Sequence, residues 1–450
     1  MTHPAPRQPV PPGPAARYTL HPDAATLALL ERLVAEHGEI IRIESADRRD
    51  PSYVLNDPAH IRQVLVANHA NYVKGVGFER VKLLLGNGII VSDGDDWRRQ
   101  RTMIQPGFSR SNIAAHAEPI RAHARELATA WDTLARGDGL LDLTTAMSGF
   151  GLQVILRAIF SHDLARLEGQ PGGNPFAFLA TDPTRDIRTV VRLRELSRAV
   201  QECIDRRRAS GDRPFDFLSA LLDARDKKTG GAMTDKELLD EVKTLIVAGH
   251  ETSAGTLNWA WYLLAQHPAV ADRLLAELAT LGPGTDFGFE ALMALRYLPA
   301  VLKETLRLYP PVWLFSRRAV AADRLGDYPI PAGAHIFISP YLVHRRPQLW
   351  PEPGRFDPDR FLGPAAEAQD PLAFIPFSAG ARRCIGEYFS FVEMQMHLAV
   401  LFPRFQLTHV PVAAEPVDID PAINLRTRHG IRMRATPRAA ASPTAVTAHP

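Results

Sequence analysis

Ten residues near the carboxyl end, Phe377 to Gly386, restrict this chain more than any other stretch. They read Phe-Ser-Ala-Gly-Ala-Arg-Arg-Cys-Ile-Gly and carry Cys384, one of two cysteines in 450 residues. The apolar run Leu372 to Phe377 leads in, and a long apolar segment of helical character follows from about Tyr388. Gly380 and Gly386 bracket the thiol and allow tight backbone beside it. A helix starting just past Cys384 points its positive end at the sulfur, and Arg382 and Arg383 add charge next to it. Both effects favour the thiolate, a soft ligand suited to iron.

Composition narrows the class. With 46% hydrophobic and 23% charged residues the chain has ample material for a core. The balance of 52 basic against 50 acidic residues implies no polyanionic partner, so nucleic acid is not expected. Two cysteines exclude a disulfide scaffold and fit a reducing cytosol. The amino terminus, Pro-rich over residues 1–16, has no apolar leader or run long enough to span a bilayer, so no membrane anchor and a cytoplasmic location are expected. Residues 17–435 read as one large domain, and the Ala/Ser/Thr/Pro tail from 436 to 450 reads as disordered.

The pattern along the chain is mainly helical with a small β portion. Residues 23–37 form a helix stopped by Gly38. Residues 39–43 and 52–55 are strand-like, and Asp57-Pro58 opens a further helix to about Asn68. The glycine-punctuated stretch 71–91 reads as a loop or pocket wall, and Asp95 or Asp96 caps the next helix. Helical patterns run to about His162, a Gly/Pro-rich break spans 163–183, and a basic helix carries Cys203, read as a packed core residue. Thr234-Asp-Lys-Glu237 is a capping box that starts a long helix ending near Gln266. A helix over 298–308, strands at 319–330 and 335–339, a Pro-rich meander over 350–376 and a hairpin over 423–433 complete the reading.

Inside the long helix lies Ala248-Gly249-His250-Glu251-Thr252-Ser253. Small residues at 248 and 249 leave room for a flat group, and Thr252 can bond back to the carbonyl of Ala248. An acid and a hydroxyl side by side suit proton delivery. His250-Glu251 also begins a zinc-protease pattern, but Ala254 stands where its second histidine would be.

The loop, Phe-x-x-Gly-x-Arg-x-Cys-x-Gly with every fixed position filled, resembles the haem-binding loop of the cytochrome P450 family, and Ala-Gly-His-Glu-Thr resembles that family's oxygen-activation motif. The resemblance covers nearly all of residues 15–435 and implies a cytochrome P450-like fold with haem b between the long helix and the cysteine loop. It implies Cys384 as axial ligand, with Phe377, Gly380, Arg382 and Gly386 around the cofactor and Glu251 and Thr252 in proton delivery. Trp97 and Arg101 match a Trp-x-x-x-Arg pattern that meets the haem carboxylates. Counting back from Ile330-Pro331 favours Arg317 as a further contact, with Arg318 as the alternative. Glu304 and Arg307 match Glu-x-x-Arg, which pairs with an arginine from the meander, here Arg355. By position Val76, Phe78, Val247, Ala248, Val312, Trp313, Leu314 and Ile423 line the substrate pocket, with Trp313 narrowing it. Arg98, Arg99, Arg110 and Arg383 make a basic proximal face.

The implied activity is a monooxygenase that uses O2 and two electrons to hydroxylate, epoxidise or further oxidise a hydrophobic small molecule, such as a terpenoid or fatty acyl chain. No flavin or nicotinamide fingerprint is present, so electrons come from a separate ferredoxin with its reductase or from a flavodoxin. A peroxide-using or isomerising haem-thiolate enzyme, or a non-catalytic haem protein, are the alternatives.

Overall fold

The computed structural model describes residues 9–181, 187–282, 284–411 and 417–438, with side chains left aside at 181 and 187–190. The central element is the helix Asp235–Gln266, 32 residues long. Its capping box forms as the sequence predicts: the Thr234 side chain accepts from the Glu237 backbone N–H and the Glu237 carboxylate from that of Thr234. His267-Pro268 ends it and starts the next helix, Pro268–Leu278, with proline in the first turn.

This helix packs along Leu143–Phe160, and Glu387–Leu401 packs against both it and Ala117–Ala135. Leu143–Phe160 is the one described helix long and apolar enough to cross a membrane by length and composition; 61% of it is buried in the core. Its contact with the central helix requires small residues. A Cβ on Gly249 would lie 2.8 Å from the Ile155 side chain, and one on Gly151 would lie 3.2 Å from the His250 carbonyl oxygen. Gly249 therefore serves helix–helix contact with Ile155, where the sequence reading assigned it to making room for a flat group.

A five-stranded sheet flanks the helices, in the order Ile40–Ile43, Ser52–Leu55, His335–Ile338, Phe315–Ala319, Tyr72–Lys74. Only the Ser52–Leu55 and His335–Ile338 pair is parallel. Short strands account for the difference from the sequence reading over 71–91, where Tyr72–Lys74 and the helix Phe78–Leu85 stand instead of a loop. The hairpin expected over 423–433 is replaced by two pairings. Leu425–Thr427 pairs with Ile419–Pro421, while Arg432–Pro437 pairs with Phe405–His409 and Leu140–Asp142.

The domain edges also shift. Arg42 donates its backbone N–H to the Pro12 carbonyl at 2.9 Å, so part of the Pro-rich arm is tied to the sheet. The last strand continues to Pro437, past the expected boundary at 435. The rest of the expected tail, the arm before residue 9 and Pro183 lie outside the described residues. Cys203 is fully buried, and burial pushes its thiol up to about 12, as an inert core cysteine requires.

Candidate active site

The cysteine loop is shaped by backbone before any side chain acts. Ser378 and Gly380 have φ of 60° and 68°, in the left-handed region. A Cβ at Gly380 would lie 1.9 Å from the Leu65 carbonyl oxygen, so only glycine fits. The Cys384 N–H donates to the Phe377 carbonyl at 2.9 Å and closes the loop. The backbone N–H groups of Gly386 and Glu387, at the start of the Glu387–Leu401 helix, point at the sulfur and favour its ionised form, as does Arg101. Surrounding protein outweighs them, and burial pushes the thiol up. The two neighbouring arginines contribute less than the sequence suggests, because Arg382 is paired with Asp93 and Arg383 with Glu387. Cys384 nonetheless has accessible surface although protein surrounds it on all sides: its sulfur faces an internal space.

Near the loop four cations gather. Lys74 and Arg317 stand directly opposite each other on neighbouring antiparallel strands, so their side chains leave the same face of the sheet. Arg318, one residue on, leaves the other face and is exposed, whereas Arg317 is 4% exposed. Burial pulls Arg317 down to about 10 and Lys74 well below the usual lysine range; the charge of Arg382 lowers both, that of Arg317 lowers Lys74 further, and Asp93 opposes. Arg382 donates to the Ser92 carbonyl at 2.8 Å and stacks over the Trp97 ring at 4.3 Å. Arg101 donates to the Arg383 carbonyl at 3.0 Å. The carboxylate facing this group is Asp93, which pairs with Arg382 and accepts from the Lys74 backbone N–H at 3.0 Å.

Asp93, not Asp95 or Asp96, is the cap residue of the helix Gly94–Ile104 that carries Trp97 and Arg101. Lys74, Arg317 and Arg382 facing Asp93, with Arg101 beside Cys384, leave positive charge that burial makes costly unless further anions share it. The two carboxylates of a haem fit that donor set, with the thiol of Cys384 as the soft ligand. Lys74 and Asp93 escaped the sequence reading; a lysine before a glycine-rich stretch carries no local signal, and its role depends on strand register.

The distal wall is one stripe of the central helix. Ala248, Glu251, Thr252 and Gly255 are half-buried at helical spacing, with Val247 beside them, while Ser253, Ala254 and Thr256 are buried. Thr252 donates its hydroxyl to the Ala248 carbonyl at 2.9 Å as predicted, and the helix continues unbroken through that point. His250 turns away, with Nε2 at 3.0 Å from both the hydroxyl and the carbonyl of Ser148. The Glu251 carboxylate accepts from the Asn424 side-chain amide at 2.6 Å. Asn424 also escaped the sequence reading.

Of the other candidate pocket residues, Val76 and Leu314 are half-buried, and Phe78 lies under the Lys74 ammonium at 4.4 Å. Val312 and Ile423 are exposed. Trp313 does not narrow a cavity. It is fully buried among Leu27, Val54, Phe337 and Tyr341, and its indole N–H donates to the Ala422 carbonyl at 2.8 Å, satisfying its one polar group.

Behind the loop, Glu304 and Arg307 form a buried bidentate pair at 2.7 and 2.8 Å. Arg307 also donates to the carbonyls of His344, Pro353 and Arg355, at 2.8, 2.8 and 3.1 Å. The third side chain is Arg360, 3.5 Å from Glu304. Arg355, expected there, contributes only its carbonyl; its guanidinium is 61% exposed and pairs with Glu352. The short 3-10 turn Pro358–Phe361 brings Arg360 back toward the Tyr297–Leu308 helix, whereas Arg355 lies on the outer side of the preceding bend. His344 extends the network, since its Nε2 accepts from the Ile375 N–H at 2.9 Å, two residues before Phe377.

A second buried acid sits behind the distal wall. Glu393 is buried, its carboxylate near Gly151 and Ser253, and among the described residues neither oxygen has a hydrogen bond, although Ser253 is close enough to favour its ionised form. Burial dominates and pushes it up to about 8. Because its folded value lies above its unfolded one, the folded state holds the proton more tightly. Its contribution is fully present below about pH 4.5 and is lost as pH rises toward 8. Glu393→Gln is therefore expected to flatten the decline in urea midpoint between pH 5 and 8 that the parent shows; an unchanged slope would refute the assignment.

The fold and site define a haem-thiolate oxygenase class, and the comparisons agree. The family model "Cytochrome P450" matches residues 20–172 and 171–431, and the chain belongs to that family; it is a cytochrome P450 monooxygenase. The chain is 36% identical to "Cyclooctatin synthase" of Streptomyces melanosporofaciens, over 90% of this chain and 91% of that protein. It is 35% identical to "Cyclooctat-9-en-7-ol 5-monooxygenase" of the same organism, over 83% and 84%. It is 31% identical to "Pentalenene oxygenase" of Streptomyces avermitilis, over 89% and 90%. Its fold matches the crystal structure of the cytochrome P450DA heme domain with a TM-score of 0.83 at 22% identity, covering 96% of this chain and 98% of that one. Family membership brings with it haem, O2, a hydrophobic substrate and a redox partner.

Proposed function

We propose that this enzyme oxidises a terpenoid, inserting one oxygen atom into an apolar skeleton with two electrons from a separate ferredoxin or flavodoxin. The relatives named for cyclooctatin, cyclooctat-9-en-7-ol and pentalenene, terpenoids all, support the substrate class. So does the apolar character of Val76, Phe78, Val247, Ala248 and Leu314. Such a pocket selects by shape and burial, with few polar anchors.

Haem b would be held by Cys384 through its iron and by Lys74, Trp97, Arg101, Arg317 and Arg382 at its carboxylates, and bound there it supplies the oxygen-activating chemistry. The protein's own part is proton traffic. Thr252 offers a hydroxyl at the accessible face of the central helix, and Glu251 beside it takes protons from the solvent side. This pair, on the stripe that carries Ala248, is the observation on which the oxygenase reading rests. A peroxide-using or isomerising enzyme would have no need of it.

The proximal face is less positive than the sequence suggests, because Arg98 pairs with Asp95, Arg99 with Glu237 and Arg383 with Glu387. Exposed Arg110 and the half-paired arginines are the proposed contacts for an acidic donor.

Two measurements test the reading. Titration with cyclic sesquiterpene and diterpene hydrocarbons or alcohols should shift the Soret band, and fatty acids should not; the reverse order would overturn the terpenoid assignment. Thr252→Ala should bind the same ligands but lower product per NADPH by about tenfold or more, the lost share of a 10²–10⁴-fold acid–base contribution. Wild-type yield from that variant would end the proton-relay role.

A further inference from the structure

We infer that Asn424 is a positioning residue for Glu251, fixing the carboxylate in the orientation from which the acid–alcohol pair moves protons. This rests on the proton-relay reading above and adds a residue to it from a different part of the chain.

Glu251 has three side-chain torsions and is half-buried, so the helix alone leaves its carboxylate several orientations. The Asn424 amide, 2.6 Å from Oε2, selects among them. At 2.6 Å the bond is short for an amide donor and fixes the direction of that oxygen.

Asn424 is itself rigidly placed. It sits in the turn between Ile419–Pro421 and Leu425–Thr427. That turn is pinned to the segment after the Tyr297–Leu308 helix at two points: Trp313 Nε1 donates to the Ala422 carbonyl at 2.8 Å, and the Leu425 N–H donates to the Pro311 carbonyl at 2.7 Å. Trp313 is fully buried, so the anchor does not slide. A short side chain on a pinned turn is the arrangement that holds a functional group to within a fraction of an ångström. Trp313 thus acts on the site at one remove, through the turn that aims Asn424.

The test uses the reconstituted holoenzyme with its reductase. Asn424→Asp keeps the volume and the turn preference but removes the amide donor and sets a second carboxylate against Glu251. Three quantities are read: product per NADPH, peroxide released, and the infrared carboxylate band that Glu251→Gln eliminates. Asn424→Asp should shift that band, lower product per NADPH about tenfold with matching peroxide release, and leave the substrate-induced Soret shift unchanged. Adding Glu251→Gln to it should cost nothing beyond Glu251→Gln alone, because the two act as one unit. Asn424→Ser, also compatible with the turn but too short to reach the carboxylate, gives the same reading should the aspartate variant not fold. An unshifted band with wild-type yield, or losses that add, would overturn the inference and leave the relay standing. Unchanged yield from Glu251→Gln would remove the relay itself, and this role with it.

Discussion

Cys384→His is expected to abolish the carbonyl difference band typical of thiolate-ligated haem and to reduce oxygenation to background. Histidine can ligate iron, so the variant is expected to retain haem, and the loss isolates the ligand's chemistry from its anchoring. Donation from the thiolate favours O–O cleavage, and imidazole lacks it. The check is the reduced carbonyl spectrum together with single-turnover product. Survival of the thiolate band would mean that another sulfur ligates the iron. Cys203, fully buried with its thiol pushed up to about 12, is the remaining cysteine and is unsuited to that role.

Glu304→Ala or Arg307→Ala should be strongly destabilising. Each leaves a charge at 0% exposure without its partner, a situation that costs about 3–5 kcal/mol. Burial already pushes the Glu304 carboxyl up against the opposing pull of Arg307, so removing Arg307 would force the acid to take up a proton. The damage would also spread, since Arg307 supplies donors to three carbonyls and, through His344 and Ile375, braces the approach to the cysteine loop. Arg355→Ala supplies the contrast: its guanidinium is solvated, so its unfolding free energy should stay within about 0.5 kcal/mol of the parent. Arg360→Ala should fall between them. Equal midpoints for the Arg307 and Arg355 variants would refute the network as drawn.

The contrast between Arg355 and Arg360 also marks where sequence ceases to be readable. Local signals survived intact: the capping box at Thr234, the return bond of Thr252, and the tight backbone at Gly380 each depend on residues a few positions apart or on one torsion. That Arg317 and Arg318 leave opposite faces follows from strand alternation, a local rule, once the strand is placed at Phe315–Ala319. Arg360, Lys74, Asp93 and Asn424 were not. Each owes its place to a partner more than ten residues away, set by a turn or a strand register. The pocket assignments suffered in the same way: Trp313 looked like a cavity wall by position, and only its bond to Ala422 shows that it faces the core.

One consequence of the sheet concerns the order in which the molecule can be assembled. Ser52–Leu55 finds its parallel neighbour only at His335–Ile338, and Tyr72–Lys74 its partner only at Phe315–Ala319. During synthesis the first strands must wait for most of the chain to leave the ribosome before their edges are covered. Gly380 then closes against the Leu65 carbonyl, so the metal-binding loop is moulded on residues made more than three hundred positions earlier. A helix closes its backbone hydrogen bonds locally and can form early, whereas pairings across such separations are slow. Cofactor capture thus belongs to the end of folding, and a chain truncated before Ile338 would lack the Glu387–Leu401 helix and expose unpaired strand edges, a known route to aggregation.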